Sequence, residues 1–190
     1  HTRSFHVTGV QTCALPISNE IKKLIADYPL IFPEDFEFEC GNGWYNILND
    51  VCDIIQHHIN QAKENKKNAE EYNEMAIALK RGDETLFNDR YKMFINEGNN
   101  PYVDRQKIEI LNSDLRNIPI VCPQIVAQQV KEKFGGLRFY YEGGDEYCSG
   151  AMAMAEIMSE KTCEMCGSPG IRRGIGWIRT LCNEHGKNED

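Results

Sequence analysis

The sequence predicts an α+β protein: a helix-rich domain carrying a β-hairpin, followed by a C-terminal treble-clef-like zinc module. Three observations predict it. Apolar residues recur at helical spacing from Trp44 to Ile59, a Gly135-Gly136 pair separates two alternating runs, and two pairs of metal-ligating side chains stand near the C-terminus.

The chain has 190 residues, 41% apolar and 26% charged, with a mean hydropathy of −0.52. That length supports one compact domain with a real apolar core, plus a small appendage that needs a staple of its own. The expected division is residues 1–18 outside the fold, 19–160 as the main α+β domain and 161–190 as the zinc-binding module. A net charge of −8 excludes a protein that coats nucleic acid indiscriminately, because such binding rests on many cationic phosphate contacts. No apolar run is long enough to span a bilayer, so no membrane partner is expected. Of eight cysteines, three fall into a metal-ligand pattern and the rest are widely spaced, which points to reduced thiols and a cytoplasmic protein.

The stretch Val7-Thr-Gly-Val-Gln-Thr-Cys-Ala-Leu-Pro-Ile17 resembles the in-frame translation of a sequencing-library adapter. On that reading roughly the first eighteen residues are an artefact, and Cys13, His1 and His6 leave every site argument. A signal peptide is the rival reading. It fails because Thr8, Gly9, Gln11 and Thr12 interrupt any continuous apolar region.

Beyond Asn19, Ile21, Leu24 and Ile25 predict a short helix that ends near Pro29 and Pro33, and Phe36–Cys40 alternates like a strand. Gly41-Asn42-Gly43 is a turn able to start the clearest helix, whose apolar stripe is Trp44, Ile47, Leu48, Val51, Ile54, Ile55 and Ile59. Residues 61–81 continue it as an exposed charged extension. A further helix is expected near Glu84–Asn96, with Leu86, Phe87, Tyr91, Met93 and Phe94, and Asn99-Asn100-Pro101 is read as a loop.

Gly135-Gly136 between alternating runs signals a two-residue hairpin, since primed turns need positive φ at their central positions. In that register Phe134 faces Leu137, Glu132 faces Phe139 and Val130 faces Tyr141. Lys131, Lys133, Arg138 and Tyr140 then line the opposite face. A rival reading makes Pro123–Phe134 a helix closed by Gly135; the hairpin is preferred. Ala151, Met152, Met154, Ala155, Ile157 and Met158 predict a buried helix over Tyr147–Ser159.

Cys163-Glu-Met-Cys166-Gly167 has the form of a zinc knuckle, and Cys182-Asn-Glu-His185 supplies a second pair after fifteen intervening residues. Between the pairs, Ile171–Leu181 can form a short hairpin. If Asn183–Lys187 begins a helix, the order knuckle, hairpin, helix is that of a treble clef. Cys163, Cys166, Cys182 and His185 are therefore the expected ligands of one structural Zn2+. A tail with so few apolar side chains would hardly fold without the ion. Four protein ligands close the position a catalytic zinc keeps open for water. A zinc deaminase needs a His-x-Glu that is missing, and a treble-clef nuclease needs a further His, for which only His57 and His58 remain. No catalytic residue and no small-molecule cofactor is assigned.

Gly41-Asn-Gly-Trp44, Val130-Lys-Glu-Lys-Phe-Gly-Gly-Leu-Arg-Phe-Tyr140 and Thr162-Cys-Glu-Met-Cys-Gly-Ser-Pro-Gly170 with Arg179-Thr-Leu-Cys-Asn-Glu-His185 resemble a family of small phage, prophage and bacterial proteins. The resemblance runs from about Pro29 onward, except the charged stretch 61–118. The family carries Asp where this chain has Asn42, and both residues cap helices. The resemblance implies a cytoplasmic phage-type accessory protein with a zinc tail, and it supplies no biochemical activity.

Two classes of function follow. One is a binding protein that engages a nucleic acid or a host protein through Arg172, Arg173, Trp177 and Arg179, residue types suited to phosphate and to interface hot spots. The other is a metal-dependent nuclease of treble-clef type with atypical site residues. Small phage proteins commonly work by occupying a partner, which favours the first.

Overall fold

The computed structural model describes residues 19–95 and 100–187. The first eighteen residues, read above as lying outside the fold, are not among them. Among the described residues the elements run α1 (Asn19–Asp27), β1 (Phe38–Glu39), a 3-10 turn (Asn42–Trp44), α2 (Tyr45–Lys80), α3 (Thr85–Ile95), α4 (Pro101–Asn112), β2 (Val126–Lys133), β3 (Gly136–Glu142), α5 (Glu146–Ser159), β4 (Ile171–Arg173) and β5 (Arg179–Leu181). The protein is thus α+β, with a three-stranded mixed sheet and a separate two-stranded ribbon. No helix among the described residues is long and apolar enough to cross a membrane.

The chain compacts as two units. Among the described residues, one comprises those up to Gln56 together with those from Gln124 onward; the other lies within His57–Pro123. The segment from 161 onward, expected as a module of its own, compacts with the first unit.

In the first unit the 3-10 turn buries Trp44 and the start of α2 buries Ile47, Leu48, Val51 and Ile55, and the expected stripe needs one correction. Ile54 is 45% exposed and Cys52 is buried in its stead. At 3.6 residues per turn Ile54 lies about 100° around the helix from Ile55, off the stripe's centre. Ile21 and Leu24 of α1, Phe32, Phe38, Val130, Leu137 and Phe139 are buried in the same unit. Phe32 stands 5.1 Å from Phe38 and 5.9 Å from Phe139, ring centre to ring centre, within the range of favourable aromatic pairs.

The hairpin reading holds, but its register moves. β2 and β3 pair antiparallel with Glu132 opposite Leu137, Val130 opposite Phe139 and Lys133 opposite Gly136, while β1 joins β2 in parallel. The turn residues are therefore Phe134 and Gly135, both at positive φ (54° and 77°), rather than Gly135 and Gly136. Gly135 takes the second turn position, where its amide donates to Glu132 Oε1 at 2.6 Å and its carbonyl accepts from Thr180 Oγ1 at 2.5 Å. Phe134 is left exposed at the tip instead of facing Leu137. The shift preserves which residues share a face, so Lys131 still lies beside Arg138, with its ammonium 5.3 Å from the Tyr140 ring.

The helix α5 begins where Asp145 Oδ1 accepts from Cys148 N, an N-cap. It satisfies the free edge of β3, because Ser159 Oγ accepts from Leu137 N at 2.8 Å and Glu156 Oε1 from Phe139 N at 3.1 Å. Met152 and Ala155 are buried as expected; Met154, Ile157 and Met158 are exposed, because only one side of α5 faces the interior.

In the second unit α2 continues, joined by α3 and by α4, a helix the sequence reading did not assign, having read only its start at Asn100-Pro101 as a loop. Asn100 caps α4 by accepting from Tyr102 N, and Pro101 occupies its first turn, where a missing N–H costs nothing. Met75, Ala76, Leu79, Phe87, Val103 and Ile110 form the core of this unit. Asn73 clasps the backbone of Arg116 in both directions at 2.8 Å, and the Arg116 guanidinium stacks 3.7 Å over Tyr72.

Candidate metal centre

The structure brings Cys163, Cys166, Cys182 and His185 together, each offering one ligand atom to a common point. Cys166 Sγ lies 3.8 Å from Cys182 Sγ, and His185 Nδ1 lies 3.6 Å from Cys163 Sγ and 3.3 Å from Cys182 Sγ. A tetrahedral ion with M–S near 2.3 Å and M–N near 2.0–2.1 Å requires S···S edges of about 3.8 Å and S···N edges of about 3.6 Å. The cluster therefore has the dimensions of a four-coordinate metal site.

Local backbone builds it. In the first pair, Gly167 N donates to Cys163 O at 2.8 Å and Cys163 N to Ser168 O at 2.7 Å. In the second, Gly186 N donates to Cys182 O at 2.9 Å, and residues 183–187 form a hydrogen-bonded turn rather than the helix a treble clef would place there. Between the pairs β4 and β5 form the expected ribbon, with Ile171 opposite Leu181. Burial pushes the Cys163 thiol up. Hydrogen bonds from Ser168 bring Cys166 down, and the backbone N–H of His185 does the same for Cys182. Cys166 and Cys182 are thus easier to deprotonate than Cys163, and the deprotonated thiol is the form that metals bind.

What the sequence reading missed is the seat of this centre. Gly41-Asn42-Gly43-Trp44 is more than a helix start: Gly43 N donates to Glu164 O at 2.7 Å, Gly41 N to Glu164 Oε1 at 3.2 Å, and the fully buried Trp44 indole to Thr162 O at 2.9 Å. A side chain on Gly43 would overlap the knuckle backbone, so only glycine permits this approach. Glu164, between two ligands and only 5% exposed, also pairs with Arg179 at 3.2 Å. Burial pushes its carboxyl up, and the Arg179 guanidinium opposes that shift. The two glycines flanking Asn42, directly before a buried Trp, were the available sequence signal.

The four residues expected to meet a partner separate into two groups. Arg179 is committed to Glu164 and to Met165 Sδ; Arg172 pairs with Glu160 at 2.6 Å; Arg173 donates to Asn183 Oδ1 at 2.7 Å. Trp177, by contrast, is 74% exposed, and Ile175 beside it is fully exposed. Neither His57 nor His58, both on α2 in the second unit, belongs to this centre. The chain is thus an α+β protein whose C-terminal ribbon carries a Cys/His cluster able to hold a metal ion. Comparison with family models, with curated proteins and with solved structures finds no match to it.

Proposed function

We propose that the protein is a zinc-stapled binding protein of the phage accessory type, which captures a host protein through the ribbon between its ligand pairs. Three sulfurs and one imidazole in tetrahedral spacing suit Zn2+ as a closed, structural ion. The observation that carries the binding role is the exposed Trp177 and Ile175 on a loop anchored at both ends by metal ligands. A solvent-facing Trp is a residue type enriched at interface hot spots. Phe134, also exposed, adjoins Gly135, which is bonded to Thr180 of β5, and we assign it to the same surface. A protein is favoured over a nucleic acid because Arg172, Arg173 and Arg179 already have partners within the chain, while the exposed side chains here are apolar.

The test is capture from bacterial lysate by the wild type and by an Ile175→Ala, Trp177→Ala double variant, each with and without nuclease. Loss of a specific protein in the variant, at unchanged zinc content and regardless of nuclease, is the expected outcome. Capture that disappears with nuclease shows a nucleic acid, and capture unaffected by the substitutions moves the interface elsewhere.

A further inference from the structure

We propose that metal occupancy gates this binding surface, the ion acting as the keystone of the first unit and not as a staple for the tail alone. This rests on the metal reading above. Among the described residues from 161 onward the buried apolar side chains are Cys163 and Leu181, so the knuckle has little packing of its own to keep its shape. The rest of the unit nevertheless leans on that shape. Glu164 O and Oε1 accept the amides of Gly43 and Gly41, and Thr162 O accepts the Trp44 indole. These three acceptors flank or separate the first two ligands.

On the other side, Glu164 N donates to Thr180 O at 2.9 Å, and Thr180 Oγ1 donates to the turn carbonyl of Gly135. One knuckle thus holds the entrance to α2, the tip of the β2–β3 hairpin and the ribbon bearing Trp177. Without the ion, Cys163 and Cys166 are tied to the second ligand pair chiefly through the Glu164 N to Thr180 O bond and the Arg179–Glu164 ion pair. Glu164 and Thr162 then withdraw, the Trp44 indole loses its acceptor, and Phe134 and Trp177 stop sharing one surface. A partner would be held by the loaded protein and released by the stripped one.

The experiment uses the full chain with Trp177→Phe, which leaves Trp44 as the sole remaining tryptophan of two. Zinc is removed with a chelator and followed by elemental analysis, while Trp44 is followed by emission and acrylamide quenching. The gate predicts a red shift and quenching that rises about threefold or more, as local opening exposes the indole, both reversed by added zinc chloride. Helical signal should change little, since most of α2 and all of α3 and α4 lie in the other unit.

A second variant tests the coupling from the opposite direction. Gly43→Ala pushes seat and knuckle apart while keeping all four ligand side chains, and by reciprocity of linked equilibria should weaken zinc binding about tenfold or more. Trp44 quenching unchanged after complete zinc release would overturn the gate and leave the metal site standing. So would an unchanged zinc affinity in Gly43→Ala. A protein that neither contains nor takes up zinc would overturn both.

Discussion

A methyl group on Gly43 would overlap the carbonyl oxygen of Cys163 and the amide nitrogens of Cys166 and Gly167, all of them backbone atoms that cannot swing aside. Gly150, in the middle of α5, faces open space. The same substitution should therefore act with opposite sign at the two positions. Gly43→Ala is expected to cost about 3 kcal/mol or more, in the manner of an overpacked core, whereas Gly150→Ala should stabilise by about 1 kcal/mol because the helix gains a residue that loses less entropy. Chemical denaturation of the zinc-loaded protein checks both. A tolerated Gly43→Ala would mean that knuckle and seat are less closely fitted than the geometry shows. The seat also marks where sequence reading stopped: Gly41 and Glu164 are 123 residues apart, and local pattern carries no information about such a pair. Cys163, Cys166, Cys182 and His185 were legible because ligand spacing is a local property.

The hairpin and helices show the same boundary at the next scale. Alternation located β2 and β3 and their two faces, since period-two patterning is intrinsic to the strand. It did not locate the turn. Phe134 takes a left-handed conformation that a bulky residue adopts at a cost, and what imposes it is the hold of Glu132 and Thr180 on Gly135. Replacing Phe134 by Asn, which tolerates that conformation, should raise stability by about 1 kcal/mol in thermal unfolding while weakening capture of the partner. A variant that is no more stable would show that the turn is unstrained. One that binds as well would remove Phe134 from the surface. The missed α4 is of a different kind: Asn100-Pro101 is as good a helix start as it is a loop signal, and only the burial of Val103 and Ile110 decides between them.

The expectation of a domain followed by a separate zinc tail was drawn from sequence order, and compaction does not follow that order. The chain leaves the first unit after Gln56 and rejoins it at Gln124. At that point Gln124 Nε2 donates to Gln56 Oε1 at 2.9 Å and Gln56 Nε2 to Gln124 Oε1 at 3.4 Å. Two amides that clasp each other across 68 positions bring the departing and returning strands of chain within side-chain reach. A linker of about six flexible residues could bridge such a gap, since closing a short loop costs little. Replacing residues 57–123 in this way should give a protein that still takes up one zinc and still shields Trp44 from acrylamide; failure to bind zinc would show that the first unit cannot fold without the second. A chain that departs and returns through such a clasp has the layout expected of a host fold carrying an inserted stretch, and all five described strands and the Cys163, Cys166, Cys182 and His185 cluster lie in the host part.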